Sequence, residues 1–444
     1  MKLRLASLLL ACLGLGACAH AAPAAVADPA PATDAKAPSL DPSPALDSQR
    51  QIVLAVANPM AAPSRHAGSN LLGYASARYY GAGTQAVATL DALNKRYGLR
   101  QVAGWPIKAL GLYCVVLEPA PGSDRAALLA QLAKDDLVAL SQPLQDFGTY
   151  STDSQAAAAP AQPLRYNDPY VDMQRGFAAT NAATAQALSQ GQGVDVAIVD
   201  TGVDTAHPDL RGRLRNTRDL VAADPGAFNR DHHGTEVAGI IAAGSNNHLG
   251  IVGIAPKAML DVYKACWYPQ RPGAGAGAGC NSFTLAKALA AIGDTRTRII
   301  NLSLGGPADP LLRKLLEQLL REGRIVVAAM PPNGRLDGFP DGIPGVIVVR
   351  SSATAPAPAG VLSAPGEDIL TTQPNGGYDF TSGSSMATAH VSGVVALLLA
   401  LAPQLDARSV HELLLRTSRT RDGLLQVDAA AAVQALPRSA PLAR

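Results

Sequence analysis

The chain has 444 residues, 48% of them apolar, which is enough for two or three domains with a large core. It carries 37 Lys and Arg against 35 Asp and Glu, a formal charge of +2, and only 4% of its residues are aromatic. That balance excludes the basic footprint of a nucleic-acid binder, and the scarcity of rings argues against a stacking platform for single strands.

At the N-terminus Lys2 and Arg4 precede an apolar run, Leu5 to Leu15, too short to span a bilayer. It ends in Leu15-Gly16-Ala17-Cys18, which resembles the lipobox of bacterial lipoproteins, whose Cys becomes the lipidated N-terminus. Residues 1–18 are read as a signal peptide with Cys18 as the lipidation site; the alternative is an ordinary cleaved signal with small residues at Ala19 to Ala22. The chain is therefore expected to be exported and lipid-anchored in the bacterial cell envelope, at the outer membrane or in the periplasm, or else secreted. No other run of 18 apolar residues occurs, so no transmembrane helix is expected. Export permits disulfides. Cys12 leaves with the signal, Cys266 and Cys280 flank a Gly/Ala loop and are read as bridged, with two free thiols as the alternative, and Cys114 is left over in an apolar strand.

Residues 19–49 are Ala, Pro, Asp and Ser without apolar periodicity, a disordered tether. Residues 50–148 read as a small α+β module. Strands are expected at Gln51 to Val56, Leu99 to Trp105, Gly111 to Leu117 and Leu137 to Leu144, and helices at Gln85 to Tyr97 and Asp124 to Lys134. That βαββαβ order is ferredoxin-like. Residues 149–165 read as a linker. From about 166 to 436, apolar strands (Val194 to Val199, Met259 to Lys264, Arg298 to Leu304, Arg324 to Ala329, Gly345 to Val349) alternate with helices (Thr235 to Ala243, Ser282 to Ile292, Pro310 to Glu322, Ser385 to Leu401). Alternation of this kind predicts an α/β domain, a mostly parallel sheet with helices on both faces, followed by a short tail at 437–444. In such sheets active residues sit at the carboxyl ends of strands.

Three segments fall at such junctions. Asp200 closes the apolar strand Val196-Ala197-Ile198-Val199, where a carboxylate must be paired; a strand-end cap is the plain alternative. His233 precedes Gly234 and Thr235 at a helix start, able to present its ring to a cleft. His233-x-x-Glu236 lacks the second His of a zinc pattern, so no metal site is read there. Ser385 lies at the start of a long apolar helix, where unpaired backbone N–H groups can hold an oxyanion, although an N-cap is the commoner use of such a Ser. A Ser hydroxyl becomes a nucleophile only when a base takes its proton, and the base needs an orienting carboxylate. Asp200, His233 and Ser385 supply those three parts in that chain order.

With these motifs, residues 166–436 resemble the catalytic domain of the subtilases, the subtilisin-like serine peptidases. Asp200-Thr201-Gly202, His233-Gly234-Thr235 and Gly383-Ser384-Ser385-Met386-Ala387 fall on that family's three signatures, supported by Gly253-Ile254-Ala255-Pro256, Ile300 to Gly305 and Ala364-Pro365-Gly366. The resemblance implies a subtilisin-like fold, endopeptidase activity on proteins or peptides through an acyl-enzyme, no organic cofactor, and calcium as a possible bound ion. It implies that Ser303, Leu304 and Gly305 pair strand to strand with an extended substrate. It also implies that residues 50–148 are a propeptide, the chain's own intramolecular inhibitor, with Phe147 to Tyr150 as the inhibitory tail. A monomer is expected. Departures from the family pattern are Glu236 in place of a second His, Ala389 in place of Pro, and Ser384 in place of Thr. The family also carries an oxyanion-holding Asn after a strand like Ile325 to Ala329; here Pro332 takes that place and Asn333 follows one position later. Loss of such a donor costs about a hundredfold to a thousandfold in rate, a figure from a member of this same family, so a weakly active or inactive binding protein on the same fold is the alternative.

Overall fold

The computed structural model describes residues 46–59, 81–150, 152–153, 166–221, 226–268, 277–351, 358–421 and 424–436. Cys18, the signal sequence, nearly all of the tether and the tail from 437 lie outside the described residues. Residues 42–444 cluster as one compact unit.

The N-terminal module runs β1 (Ile52–Ala57), α1 (Thr84–Tyr97), β2 (Leu99–Ile107), β3 (Leu112–Pro119), α2 (Arg125–Leu132) and β4 (Leu140–Pro143). Its strands form one antiparallel sheet in the order β2-β3-β1-β4, the arrangement expected of the βαββαβ pattern. Alternation along β1 explains what each face does. Ile52, Leu54 and Val56 pack on α1 residues Ala86, Leu90 and Leu93. Val53 and Ala55 belong instead to the core that continues into the next domain. The module sheet is therefore buried on both sides.

Two short strands follow, β5 (Asp146–Thr149) and β6 (Thr152–Asp153). The linker expected from 149 thus begins no earlier than 154. Its first residues have a fixed path because their backbone groups pair with strands of the catalytic domain.

That domain contains α3 (Arg175–Ala179), α4 (Ala182–Gln186), β7 (Asp195–Asp200), β8 (Leu214–Asp219), α5 (Ala227–Arg230), α6 (His232–Ala242), β9 (Met259–Lys264), β10 (Cys266–Trp267) and β11 (Gly279–Asn281). It continues with α7 (Ser282–Gly293), β12 (Ile299–Leu302), β13 (Leu304–Gly305), α8 (Pro310–Arg321), β14 (Ile325–Ala329), β15 (Ile347–Ser351), β16 (Leu362–Ala364), β17 (Ile369–Gln373) and β18 (Gly377–Ser382). It ends with α9 (Ser384–Leu401), α10 (Ala407–Thr417), β19 (Arg419–Arg421), β20 (Leu424–Gln426) and α11 (Ala429–Gln434). The main sheet has nine strands in the order β19-β20-β16-β15-β14-β12-β7-β9-β8, parallel except at β19. Val196 and Ile198 of β7 face the core shared with α6 and α9, while Ala197 and Val199 face α7 and α8. Burial on both faces is why β7 reads as a continuous apolar run. The 18-residue α9 is apolar enough to cross a membrane, but 89% of it is buried within the protein, so it serves as the central core helix.

Candidate active site

Asp200 ends β7, His233 lies in the first turn of α6 and Ser385 in the first turn of α9, and all three are fully buried. His233 Nδ1 is 2.7 Å from Asp200 Oδ1, which also accepts the Thr201 N–H at 2.7 Å. Two loops make that contact possible. Gly202 has φ +110° and meets Gly234 so closely that a Cβ on Gly234 would stand 1.9 Å from the Gly202 carbonyl oxygen. The Gly234 N–H in turn donates to Thr201 Oγ1 at 3.0 Å. The helix therefore starts directly against the loop that leaves Asp200. It begins at His232, three residues before the Thr235 start expected from sequence, with no side-chain cap on its N-terminus.

Lys264 holds the same corner. It ends β9, is 1% exposed, and its ammonium donates to the carbonyls of Thr201 (2.6 Å) and Cys266 (3.0 Å) and to Asp231 Oδ2 (2.5 Å). It ties the segments that flank Asp200 and His233 together. Sequence reasoning did not single it out, although a Lys closing an apolar strand carries the same signal as Asp200: a buried charge that must find partners.

The electrostatics favour a charged imidazole. Burial alone would depress the His233 pKa, but the Asp200 carboxylate, by charge and hydrogen bond, and then the charge of Glu236 outweigh it, and the net shift is upward. Glu236 stays low despite burial because His232 bonds it at 2.9 Å and His233 lies near; Gln373 Nε2 donates to it at 2.9 Å. Tyr268 stacks on the His232 ring with centroids 4.5 Å apart.

Ser385 is anchored from behind. Its carbonyl accepts from Ser303 Oγ (3.0 Å), which accepts from Asn301 Nδ2 (2.9 Å), whose Oδ1 accepts from Ser392 Oγ (2.8 Å). This chain of polar groups locks α9 to β12. The Ser385 hydroxyl donates to the Ser303 carbonyl at 2.9 Å, and His233 Nε2 has no hydrogen-bond partner among the described residues. The Ser385 hydroxyl and the His233 ring are not bonded to each other in this state. To be activated, the hydroxyl must exchange the Ser303 carbonyl for Nε2.

The chain's own residues occupy the cleft. β5 lies antiparallel to β11 on one side, Phe147 opposite Cys280, and to β13 on the other, Thr149 opposite Leu304 and Gly148 opposite Gly305. Tyr150 follows. Its carbonyl oxygen accepts the Ser385 N–H at 3.4 Å, and its own N–H donates to Ser385 Oγ at 3.2 Å. Beyond it, β6 pairs with Thr381 and Ser382 of β18. The backbone thus passes both sides of the nucleophile as a bound peptide would. Of the residues expected to pair with an extended chain, Leu304 and Gly305 do so, whereas Ser303 positions Ser385.

The structure does not bring Asn333 to this point. It is exposed, and its side-chain oxygen accepts the Arg335 N–H at 3.0 Å, closing a turn that Pro331 and Pro332 initiate. Among the described residues, the Ser385 N–H is the donor to the Tyr150 carbonyl. Cys266 and Cys280 are joined as a disulfide across β10 and β11, and Cys114 is buried and free. Among the described residues no cluster of three or more His, Cys, Asp or Glu gathers for a metal ion.

Residues 191–434 match the model of the subtilase family, peptidase S8. The chain is 36% identical over 273 residues to an intracellular serine protease of Paenibacillus polymyxa, covering 57% of this chain and 81% of that one. It is 35% identical over 244 residues to thermitase of Thermoactinomyces vulgaris, covering 52% and 84%. Its fold is similar to that of fervidolysin from Fervidobacterium pennivorans, a keratinolytic enzyme related to subtilisin, with a TM-score of 0.69 at 22% identity. That match spans 88% of this chain and 61% of the other.

Proposed function

Because the chain belongs to the subtilase family and is a serine-type endopeptidase, we propose that it cleaves peptide bonds with Ser385 as nucleophile, His233 as base and Asp200 as orienting carboxylate, and that its N-terminal module inhibits it until the bond after Tyr150 is cut. Ser385 Oγ bonds to the peptide carbonyl carbon as its proton passes to His233 Nε2. The carbon–nitrogen bond then breaks as His233 returns that proton to the leaving amine, and water releases the acyl group by the same route in reverse. Asp200, bonded to Nδ1, fixes the tautomer and stabilises the imidazolium. The Ser385 N–H receives the developing oxyanion, as it receives the Tyr150 carbonyl.

The observation that carries this reading is the placement of residues 146–150, antiparallel between Gly279–Asn281 and Leu304–Gly305 and ending with Tyr150 on Ser385. Export with lipid attachment at Cys18 belongs to the same proposal. It is supported by the N-terminal apolar run and by the Cys266–Cys280 bridge, which suits an oxidising compartment. The test uses the full chain expressed in a bacterial host. A fluorophosphonate should label the wild type and not Ser385→Ala, and intact mass should show a product beginning at Ser151 in the wild type alone. A wild-type protein that neither labels nor cuts itself or unfolded casein is instead a binding protein on this fold.

A further inference from the structure

The side chain of Tyr150 packs beside the Gly305–Gly306 backbone, next to a segment with an unusual carboxylate. Its ring edge lies against the Gly305 backbone, and a Cβ on Gly305 would stand 2.4 Å from the Tyr150 hydroxyl oxygen. The adjoining Gly306 bridges to Phe339 through paired backbone hydrogen bonds of 2.9 and 3.0 Å. The neighbouring Gly338 sits so near that its absent Cβ would fall 2.3 Å from the Gly306 carbonyl and 3.2 Å from Asp341 Oδ1. Asp341 is 5% exposed. One of its oxygens accepts the Gly338 N–H at 3.2 Å; the other, Oδ1, is buried and has no hydrogen-bond partner among the described residues. No Lys, Arg or His among the described residues forms an ion pair with it. The nearest such pair, Arg335 with Asp337, turns the arginine to a different carboxylate at 2.8 Å.

A buried carboxylate oxygen without a donor is costly, so a group that brings one to it gains accordingly. The tyrosine that occupies the pocket feels this group: burial first, then the Asp341 charge, pushes its phenol up to about 12, so it remains a donor. Burial likewise raises the Asp341 carboxyl above its ordinary range.

We propose that Asp341 is a specificity-determining residue, closing the pocket that receives the side chain before the cleaved bond and selecting substrates in which that side chain is long enough to bring a cationic donor to Oδ1: arginine and lysine ahead of tyrosine, phenylalanine and leucine. A cation gains most because a hydrogen bond between two charged groups is the stronger kind. Tyr150 itself leaves Oδ1 unpaired, so the group that satisfies it must come from a side chain that reaches farther than tyrosine. The inference rests on the protease reading above and names the substrate class of that same site.

The test is a competition. Equal amounts of five peptides of one frame, with Arg, Lys, Tyr, Phe or Leu before the cut, are incubated with the full chain, wild type and Asp341→Asn, and products are counted by mass spectrometry. Fluorophosphonate labelling is run in parallel. Wild type should cut the Arg and Lys peptides ahead of the Tyr, Phe and Leu peptides by about tenfold to a hundredfold. In Asp341→Asn that ratio should fall at least about tenfold. A labelled wild type that cuts Tyr, Phe or Leu as fast as Arg and Lys overturns the inference and leaves the protease reading standing, as does an unchanged ratio in Asp341→Asn. A wild type that neither labels nor cuts any peptide overturns both.

Discussion

Each residue of the triad takes its character from neighbours one or two bonds away. His233 must be neutral to accept the Ser385 proton, so activity is lost as pH falls through its pKa. Asp200 and Glu236 raise that pKa above the ordinary imidazole value of 6.5. The acid limb of kcat/KM is therefore expected above 6.5, and Glu236→Gln, which removes one of those negative charges, should move the limb to lower pH. A pH profile of the two proteins checks this; an unmoved limb would assign Glu236 to the His232 and Gln373 contacts alone. Asp200, His233 and Ser385 stood out in the sequence because the proposed chemistry needs those residue types together and in order, and the structure joins the first two by a hydrogen bond. Lys264 and Asp341 were not singled out in the sequence, and Tyr150 entered only through the family resemblance, as the end of the inhibitory tail. A tyrosine after Gly148-Thr149 or an aspartate after Phe339-Pro340 has no local signature, and its role exists only through what the fold sets beside it. Asn333 failed for a related reason: counting along the chain placed it near the nucleophile, whereas two prolines and its own bond to Arg335 settle it in an exposed turn.

At the scale of elements, the lesson is where α6 begins. Sequence reading started it at Thr235, taken as the helix-starting residue after Gly234. The structure starts it at His232 since Asp231, at the cap position, gives its carboxylate to Lys264 instead of to the helix. The first turn is then fixed by contact with the loop after Asp200, and Gly234 is the point of contact. Gly234→Ala puts a methyl group against backbone that cannot turn aside. We expect it to cost about 1–3 kcal/mol in chemical denaturation and, by displacing His233, to slow fluorophosphonate labelling about a hundredfold. Long elements such as β7, α8 and α9 were legible because their apolar residues repeat with a clear period or run. The short cleft strands, β10, β11 and β13, are two or three residues each and have no period to read; pairing with β5 and with each other is what makes them strands.

For the whole molecule, the module is held outside the cleft by the shared core and, among the described residues, by contacts at the starts of α7 and α8. Trp105 meets Phe283 edge to face at 4.5 Å, at the start of α7. Gln142 donates to Asp309 Oδ2 at 2.7 Å and accepts the Leu311 N–H at 2.9 Å, joining the module to the cap of α8. Asp309 is 2% exposed and also takes Ser282 Oγ at 2.6 Å, so loss of Gln142 leaves a buried carboxylate short of a donor. Gln142→Ala is expected to weaken the hold of the severed module about tenfold or more, read as the inhibition constant of the module on the processed enzyme. An unchanged constant would place the hold in β5 and the Trp105 contact. The continuous passage of one backbone through the cleft, from β5 past Ser385 to β6, has a further consequence in kinetics. While the chain is intact, the cleft meets its own segment at an effective concentration set by the tether, not by the amount of protein, so the first cut should proceed at a rate independent of dilution. Once the bond after Tyr150 is broken, the same contacts become those of two separate molecules. Dilution, which had no influence on the cut, then governs how much enzyme is free.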